Sequence, residues 1–212
     1  MIDEQLEEYI DLLIPSRKGI LAEMEAYAKE HQVPIMEPAG IEMMLQMLRL
    51  KKAETILEVG TAIGYSALRM AYALPNAKIV TIERDEERLS KARAYIKEAN
   101  KESQILTIYG DALETATQVS QLGTFDAVFI DAAKGQYKRF FEIYTAFLKP
   151  GGMVITDNVL FKGLVATQDT TNKRIKSLVK KIDDFNRWLM SHPDYDTVIL
   201  PVGDGVAISM KR

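Results

Sequence analysis

Acidic and amide side chains follow two apolar segments, each at a point where a strand is expected to end. Asp131 follows Phe125–Ile130, and Asp157 and Asn158 follow Met153–Thr156. Two carboxylates and an amide oxygen suit a hard divalent cation such as Mg²⁺, which prefers oxygen ligands. If the two segments are neighbouring strands, these side chains converge, and the pattern predicts a metal site. Taken singly, each residue could instead cap a loop or form a turn.

A glycine-containing turn follows the first apolar segment. The stretch Glu58–Ser66 reads EVGTAIGYS, and Gly60 and Gly64 would let a ligand approach the backbone and the free amides of the next helix. Ser66 could cap that helix or bind the ligand. Ala62 breaks the GxGxxG pattern, and no Gly-Lys-Ser/Thr follows, so the turn is neither a dinucleotide fingerprint nor a P-loop. It binds a nucleotide-like ligand or is a purely structural turn.

Two more acidic residues follow predicted strands. Glu83 lies roughly 20 residues past the glycine turn, where an acid can bind the hydroxyls of a ribose. Either Glu83 or Asp85 could instead begin the next helix, and we favour Asp85 as its N-cap. Asp111 could accept a hydrogen bond from an adenine amino group and could also cap the helix that follows it.

The elements that must position these residues alternate along the chain, which predicts a parallel sheet with crossover helices. Ligand-binding residues in such a sheet gather at the carboxyl ends of the strands. The predicted strands are Thr55–Val59, Lys78–Ile82, Ile105–Tyr109, Phe125–Ile130, Met153–Thr156, Tyr195–Leu200 and Val206–Met210, the last two as a hairpin. The predicted helices between them are Tyr65–Leu74, Glu86–Asn100, Ala112–Ser120 and Tyr137–Phe147, and a charged helix runs from after Asp169 to about Met190.

The first fifty residues show helical spacing of apolar side chains, interrupted by prolines. We therefore expect one domain over residues 1–212, with a helical extension at 1–50 and a Rossmann-like core at 51–212. The stretch His31–Gly40 is predicted to be an ordered connection, and Leu160–Thr171 a mobile loop beside the site.

The amino-acid composition excludes several kinds of site and partner. The 212 residues carry 27 Lys+Arg and 30 Asp+Glu, a net charge of −3, so nucleic acid could bind only through a local basic patch. The absence of cysteine excludes disulfides, thiolate metal sites and a cysteine nucleophile. No apolar run is long enough for a membrane helix, and the acidic N-terminus is unlike a signal peptide. We expect a cytoplasmic protein with no membrane partner.

These motifs together resemble the cation-dependent, S-adenosylmethionine-dependent O-methyltransferases related to catechol and caffeoyl-CoA O-methyltransferases. The resemblance runs from about Pro34 to Met210. It implies an α/β, class I methyltransferase fold with a seven-stranded, mostly parallel sheet in the order 3-2-1-4-5-7-6. The segments that carry it are Leu57–Gly60, Gly64–Ser66, Glu83, Gly110–Ala112, Phe129–Lys134 with Tyr137, Leu148–Gly152 and Asp157–Leu160.

The resemblance also implies roles for matching positions. Lys134 would be the general base, or would stay charged and only stabilise the oxyanion of the substrate. The cofactor S-adenosylmethionine would be bound by Met36, Glu58, Gly60, Tyr65, Ser66, Glu83, Asp111, Ala112 and Asp131. Mg²⁺ or another divalent cation would be held by Asp131, Asp157 and Asn158.

Within this family the chain is most similar to bacterial tRNA 5-hydroxyuridine methyltransferases, which implies 5-hydroxyuridine in the tRNA anticodon loop as substrate and a homodimer as assembly. A small catechol or phenolic acid is the alternative, because a catechol and 5-hydroxyuridine both offer two adjacent oxygens to a cation. Basic residues give a hint towards RNA, although they could form an ordinary solvated surface. They are Arg17, Lys18, Lys162, Lys173, Arg174, Lys176, Lys180 and Lys181.

Two other classes fit less well. A noncatalytic binding module would not need the intact set Asp131, Lys134, Asp157 and Asn158. A dinucleotide dehydrogenase is disfavoured by the missing GxGxxG pattern and by the paired acidic strand ends.

Overall fold

The fold is that of a computed structural model, which describes residues 4–212. Seven strands form one sheet in the order β3-β2-β1-β4-β5-β7-β6, which confirms the predicted fold class and strand order. The first five strands are parallel, and β7 runs antiparallel to both β5 and β6. The strands are β1 Thr55–Val59, β2 Lys78–Glu83, β3 Ile105–Tyr109, β4 Phe125–Ile130, β5 Leu148–Thr156, β6 Tyr195–Leu200 and β7 Val206–Lys211.

Helices cover both faces of the sheet, as a buried parallel sheet requires. One apolar core joins α2, α3, α4 and α5 to one face, and a second joins α7 and α9 to the other. The helices are α1 Glu4–Leu13, α2 Ile20–Glu30, α3 Pro38–Lys51, α4 Tyr65–Ala73, α5 Glu86–Glu98, α6 Ala116–Ser120, α7 Tyr137–Tyr144, α8 Leu164–Thr167 and α9 Lys173–Met190.

Several element boundaries differ from the predictions for identifiable reasons. Helix α6 begins at Ala116, not Ala112, because the carboxylate and carbonyl of Asp111 bind the following amides in a turn. Strand β5 begins at Leu148, not Met153: Leu148 pairs with Phe125 across a register shift, despite the intervening proline and glycines. Helix α7 ends at Tyr144 and continues as a 3-10 turn over Thr145–Phe147.

The connections near the site also differ from the predictions. Helix α3 begins at Pro38, because proline suits the first turn of a helix. The connection predicted over His31–Gly40 therefore ends at Glu37. The segment predicted as a loop at Leu160–Thr171 contains the helical turn α8.

Candidate functional site

A cavity of about 580 Å³ opens at the carboxyl ends of β1, β2, β3 and β4. The predicted edge of the sheet is therefore where a ligand can enter. Most of the predicted site residues line this cavity, namely Met36, Gly60, Tyr65, Ser66, Glu83, Asp111, Ala112, Asp131, Lys134 and Asn158. Glu58 and Asp157 are not among its lining residues, and both are buried.

The glycine turn brings the backbone of β1 against the end of β4. Gly60 has φ +107, and a Cβ added there would lie 2.0 Å from the carbonyl oxygen of Asp131. Gly64 has φ +84 and precedes the first residue of α4. Glycine at position 60 is therefore required both by its backbone conformation and by the close approach of the Asp131 carbonyl.

Glu83 is fixed in place by the backbone around it. Its Oε2 accepts a hydrogen bond from the amide of Ala62 at 2.8 Å, and its Oε1 accepts from the amides of Arg84 and Asp85 at 2.9 Å each. Asp85 itself is the N-cap of α5, accepting from the amide of Arg88 at 3.0 Å, which confirms that prediction. Glu83 is thus a rigid carboxylate at the cavity wall, suited to accept from vicinal hydroxyls.

Asp111 does not cap the helix that follows it, because α6 begins at Ala116 and its N-cap residue is Thr115. The Oδ1 of Asp111 accepts from the amide of Leu113 at 2.8 Å, which holds the turn after β3. The residue also lines the cavity, next to Ala112. Arg84, whose guanidinium lies 3.8 Å from the Asp111 carboxylate, borders the same wall.

Glu58 supports the cavity wall from behind. It is completely buried, and its two carboxyl oxygens accept hydrogen bonds from Ser66 and Thr81. Burial raises the pKa of Glu58 to about 8, despite these hydrogen bonds. Ser66 faces the cavity, and Gly64 is the N-cap residue of α4 without any side-chain cap, so Ser66 does not cap the helix.

Tyr65 lines the cavity while its hydroxyl is held elsewhere. That hydroxyl donates to Glu25 and accepts a hydrogen bond from Arg69 at 2.9 Å. Burial and the contact with Glu25 raise the pKa of Tyr65 to about 12. Arg17 donates to the same Glu25 carboxylate at 2.7 Å, so α2 and the segment before it brace the beginning of α4.

The predicted metal ligands converge as the strand order requires. Strands β4 and β5 are neighbours, and the amide of Asp157 donates to the carbonyl of Ile130 at 3.1 Å. The Nδ2 of Asn158 donates to the Asp157 carboxylate at 2.8 Å, and Lys134 Nζ donates to Asn158 Oδ1. Lys134, Asp157 and Asn158 therefore form one continuous chain of side-chain contacts beside Asp131.

Two carboxyl groups at this edge have raised pKa values. Burial raises the pKa of Asp131, against the lowering effect of the Lys134 ammonium. Burial also raises the pKa of Asp157 well above its ordinary value, with the negative charge of Asp131 adding to the rise. Two carboxylates that disfavour each other's charge fit a divalent cation, which would relieve the repulsion. Within residues 4–212 no three His, Cys, Asp or Glu side chains form a metal cluster, and the predicted set of Asp131, Asp157 and Asn158 contains only two such side chains.

Sequence reasoning missed some cavity residues. Arg84 and Arg88 line the wall beside Glu83, and Gln136 and Phe140 line the wall beyond Lys134. Arg84 directly follows a strand end, a position that could have drawn attention to it. Gln136 and Phe140 carry no comparable signal, because only the packing of α7 brings them to the cavity.

Comparison with known proteins relates the chain to one family. The O-methyltransferase family model matches residues 15–212. A catechol O-methyltransferase of Niastella koreensis is 32% identical, over 100% of this chain and 98% of its own length. Its sequence similarity thus extends over the whole described site.

Solved structures give the same result. A Staphylococcus aureus protein provisionally described as a caffeoyl-CoA O-methyltransferase superposes with a TM-score of 0.93 and 37% identity, covering 99% of this chain and 100% of that one. An O-methyltransferase of Bacillus cereus, solved in complex with SAH, superposes with a TM-score of 0.84 and 25% identity, covering 98% and 97%. No helix within residues 4–212 is long and apolar enough to cross a membrane.

Proposed function

This chain belongs to the O-methyltransferase family and is an S-adenosylmethionine-dependent O-methyltransferase, and from that premise we propose that a divalent cation assists the transfer. The acceptor is a hydroxyl group with a second oxygen beside it. The observation that carries the proposal is the convergence of Asp131, Lys134, Asp157 and Asn158 at the carboxyl ends of β4 and β5. We treat residues 1–212 as one methyltransferase domain, because α2 and α3 share a core with the sheet.

The cofactor lies in the 580 Å³ cavity in this proposal. When bound, S-adenosylmethionine supplies an electrophilic methyl group for in-line displacement. Glu83 accepts from the ribose hydroxyls, since its carboxylate is already fixed by three backbone amides. Asp111 and Ala112 flank the adenine, and Met36 covers the cavity from the connection before α3. Glu58 contributes indirectly, by holding the Ser66 side chain.

Asp131, Asp157 and Asn158 hold the cation, for which Mg²⁺ is the proposed ion. When bound, the cation supplies stabilisation of the substrate oxyanion and lowers the pKa of the substrate hydroxyl. Lys134 is the base. Its Nζ contacts Asn158 Oδ1, so a hydroxyl held at this edge is within reach of the amine, which can take the hydroxyl proton when neutral. The remaining contribution of the chain is to align donor and acceptor.

The physiological acceptor in our proposal is 5-hydroxyuridine in the tRNA anticodon loop. Support comes from a basic surface on the amino-terminal half of α9, which packs against the 3-10 turn Lys134–Gln136. An added Cβ at Gly135 would lie 3.8 Å from Lys181 Nζ, so this surface begins beside the catalytic edge. We call its members the α9 basic surface: Lys173, Arg174, Lys176, Lys180 and Lys181.

The α9 basic surface is available to bind phosphates. All five side chains are exposed, and among the described residues none of them lies within 4.0 Å of a carboxylate. Arg139, exposed in the first turn of α7, adds to the charge next to the same 3-10 turn, whereas Lys138 is paired with Glu142 at 3.8 Å. Arg17 differs, because its guanidinium is paired with Glu25. A tRNA substrate also implies action in the cytoplasm.

A small catechol is the second candidate acceptor. The observation that favours it is the similarity over the whole chain to a catechol O-methyltransferase. Both acceptors present two adjacent oxygens to one cation, so the chemistry at Asp131 and Lys134 is common to them. The surface around the cavity must therefore determine which of the two acceptors is bound.

Methyl transfer in parallel reactions tests the proposal. Labelled S-adenosylmethionine is supplied with tRNA bearing 5-hydroxyuridine or with a catechol acid, each with Mg²⁺ or with a chelator. We expect efficient labelling of tRNA that the chelator abolishes. Preferred labelling of the catechol would make this a small-molecule enzyme, and full activity in chelator would refute the cation.

A matched pair of variants tests the basic surface. Lys180→Glu reverses a charge on the α9 basic surface, whereas Lys97→Glu reverses an exposed charge on α5, which packs on the other face of the sheet. We expect only Lys180→Glu to weaken tRNA binding and to reduce its salt dependence, by a slope of about 1 for a lost phosphate contact. Equal effects of the two variants would refute a local RNA contact.

We also propose that the chain forms a homodimer. Apolar side chains of α1 are exposed, including Leu12 at 85% and Leu13 at 64%, and they would be covered by a second copy. Sedimentation of Leu12→Lys alongside the parent protein tests this, since a monomeric parent would refute it.

A further inference from the structure

The turn that carries Asp157 and Asn158 is held by two side chains from distant parts of the chain. The hydroxyl of Tyr137, on α7, donates to the carbonyl oxygen of Asp157 at 2.8 Å. The Nδ2 of Asn186, on α9, donates to the carbonyl oxygen of Val159 at 2.7 Å. Both donors are buried, with 1% and 8% of their surfaces exposed.

The amides of the same turn are held from the other side. The amide of Val159 donates to the carbonyl of Gly205 at 2.9 Å, and that of Leu160 donates to the carbonyl of Asp204 at 2.9 Å. These carbonyls belong to the turn between β6 and β7. The backbone of the turn after β5 is therefore fixed by hydrogen bonds on both sides, and the carbonyl side depends on Tyr137 and Asn186.

Asn158 lies between the two anchored carbonyls in a left-handed conformation. Its φ is +60, a left-handed region that asparagine adopts more readily than most other non-glycine residues. The direction of a side chain follows from the backbone conformation that carries it. In this conformation Asn158 places Oδ1 against Lys134 Nζ and Nδ2 against the Asp157 carboxylate. A relaxation of φ would move the amide oxygen away from this edge.

Asn186 costs more folding free energy than an apolar residue that only filled the same space. Its Oδ1 is buried and has no hydrogen-bond partner among the described residues. An unsatisfied buried polar atom costs about 1–3 kcal/mol, which an apolar side chain would avoid. The residue lies on the buried face of α9 between Phe185 and Leu189, where apolar side chains are usual. The donor Nδ2 is the feature that an apolar residue could not supply.

We propose that Tyr137 and Asn186 are positioning residues, which hold the carbonyls on either side of Asn158 and so keep its amide oxygen aimed at the cation site. This inference rests on the proposed function, because it assumes that Asp131, Asp157 and Asn158 hold a cation. The two side chains do not touch the reacting groups and act through the backbone of Asp157 and Val159. Loss of such supporting partners typically weakens metal affinity by about 10- to 100-fold.

The test measures Mn²⁺ binding to the protein in the absence of any methyl donor, through the electron paramagnetic resonance signal of free Mn²⁺. Tyr137→Phe removes one hydroxyl and keeps the ring that packs against Phe185. Asn186→Ala removes the second donor. The matched control is Tyr144→Phe, which removes another buried α7 hydroxyl bound to a carbonyl, that of Ala112 at 2.6 Å.

We expect about tenfold weaker Mn²⁺ binding for Tyr137→Phe and Asn186→Ala. Tyr144→Phe should lose about as much thermal stability as Tyr137→Phe, but its Mn²⁺ affinity should stay within twofold of that of the parent protein. Calorimetry should show unchanged S-adenosylmethionine affinity for Tyr137→Phe, which shows that the cavity is intact. Because Tyr137→Phe deletes a single atom, it stays informative even if Asn186→Ala fails to fold.

Two adverse outcomes are distinguishable. If the parent protein binds Mn²⁺ and Tyr137→Phe binds it equally well, the positioning role is overturned and the proposed cation site stands. If the parent protein binds no Mn²⁺ even at millimolar concentration, the cation site itself is overturned, and this inference is overturned with it.

Discussion

The contact between the glycine turn and the end of β4 gives the sharpest prediction. In Gly60→Ala the new Cβ would lie 2.0 Å from the carbonyl oxygen of Asp131 and 2.8 Å from its carbonyl carbon. Ordinary contact begins at 3.4 Å, so this backbone must retreat by about 1.4 Å. The displaced residue carries a proposed cation ligand, and a misplacement of about 1 Å near reacting groups can cost on the order of 100-fold in rate.

Gly123→Ala is the matched control for this change. Gly123 has φ +95, close to the φ +107 of Gly60, but an added Cβ there meets nothing within 4 Å. Both variants therefore force alanine into a left-handed backbone region, which costs roughly 1–2 kcal/mol. Only Gly60→Ala adds a collision with backbone. The difference in stability and activity between the two variants therefore measures the effect of the close approach between Gly60 and the end of β4.

The assay compares both variants with the parent protein by thermal unfolding, S-adenosylmethionine calorimetry and methyl transfer. We expect similar moderate losses of stability from backbone strain, with a further loss for Gly60→Ala. Methyl transfer should fall at least 100-fold in Gly60→Ala and stay within threefold of the parent in Gly123→Ala. Activity of Gly60→Ala within threefold of Gly123→Ala would refute the argument from close approach.

Other predictions concern single side chains of the site. Asp157→Ala should abolish methyl transfer while S-adenosylmethionine affinity, measured by calorimetry, stays within about threefold; full activity under controlled metal would contradict the ligand assignment. Lys134→Ala should lower turnover, with partial recovery at higher pH as the acceptor hydroxyl ionises unaided, and an unchanged pH profile would count against a base. Glu58→Gln should lessen the pH dependence of the free energy of unfolding. The pKa of Glu58 is raised from 4.5 to about 8 in the folded protein. The stability that this carboxyl contributes is therefore complete below pH 4.5 and is lost as the pH rises towards 8. Identical loss of stability between pH 5 and pH 8 in parent and variant would refute that pKa shift.

The sequence alone determined the layered α/β fold and most of its element boundaries. The buried run Ala127–Ile130 of β4 is recognisable because parallel strands covered on both faces read as continuous apolar runs. Strand-end position then identified Asp131, Asp157, Glu83 and Asp111, since ligand-binding groups in such sheets follow the strands. Boundaries such as the start of β5 at Leu148 depended on pairing with Phe125, which no local pattern in Pro150–Gly152 indicates.

Only the tertiary structure decided which of these residues reach the cavity directly. Glu58 and Ser66 lie in one short motif, yet burial places the carboxyl of Glu58 behind the wall and the hydroxyl of Ser66 in it. The hydrogen bonds from Tyr137 and Asn186 to the carbonyls on either side of Asn158 join α7 and α9 to the turn after β5, although these elements are far apart in the chain. Strand ends are local and can be predicted from hydrophobic patterns, whereas such contacts follow from how helices pack across a sheet, which local sequence does not encode.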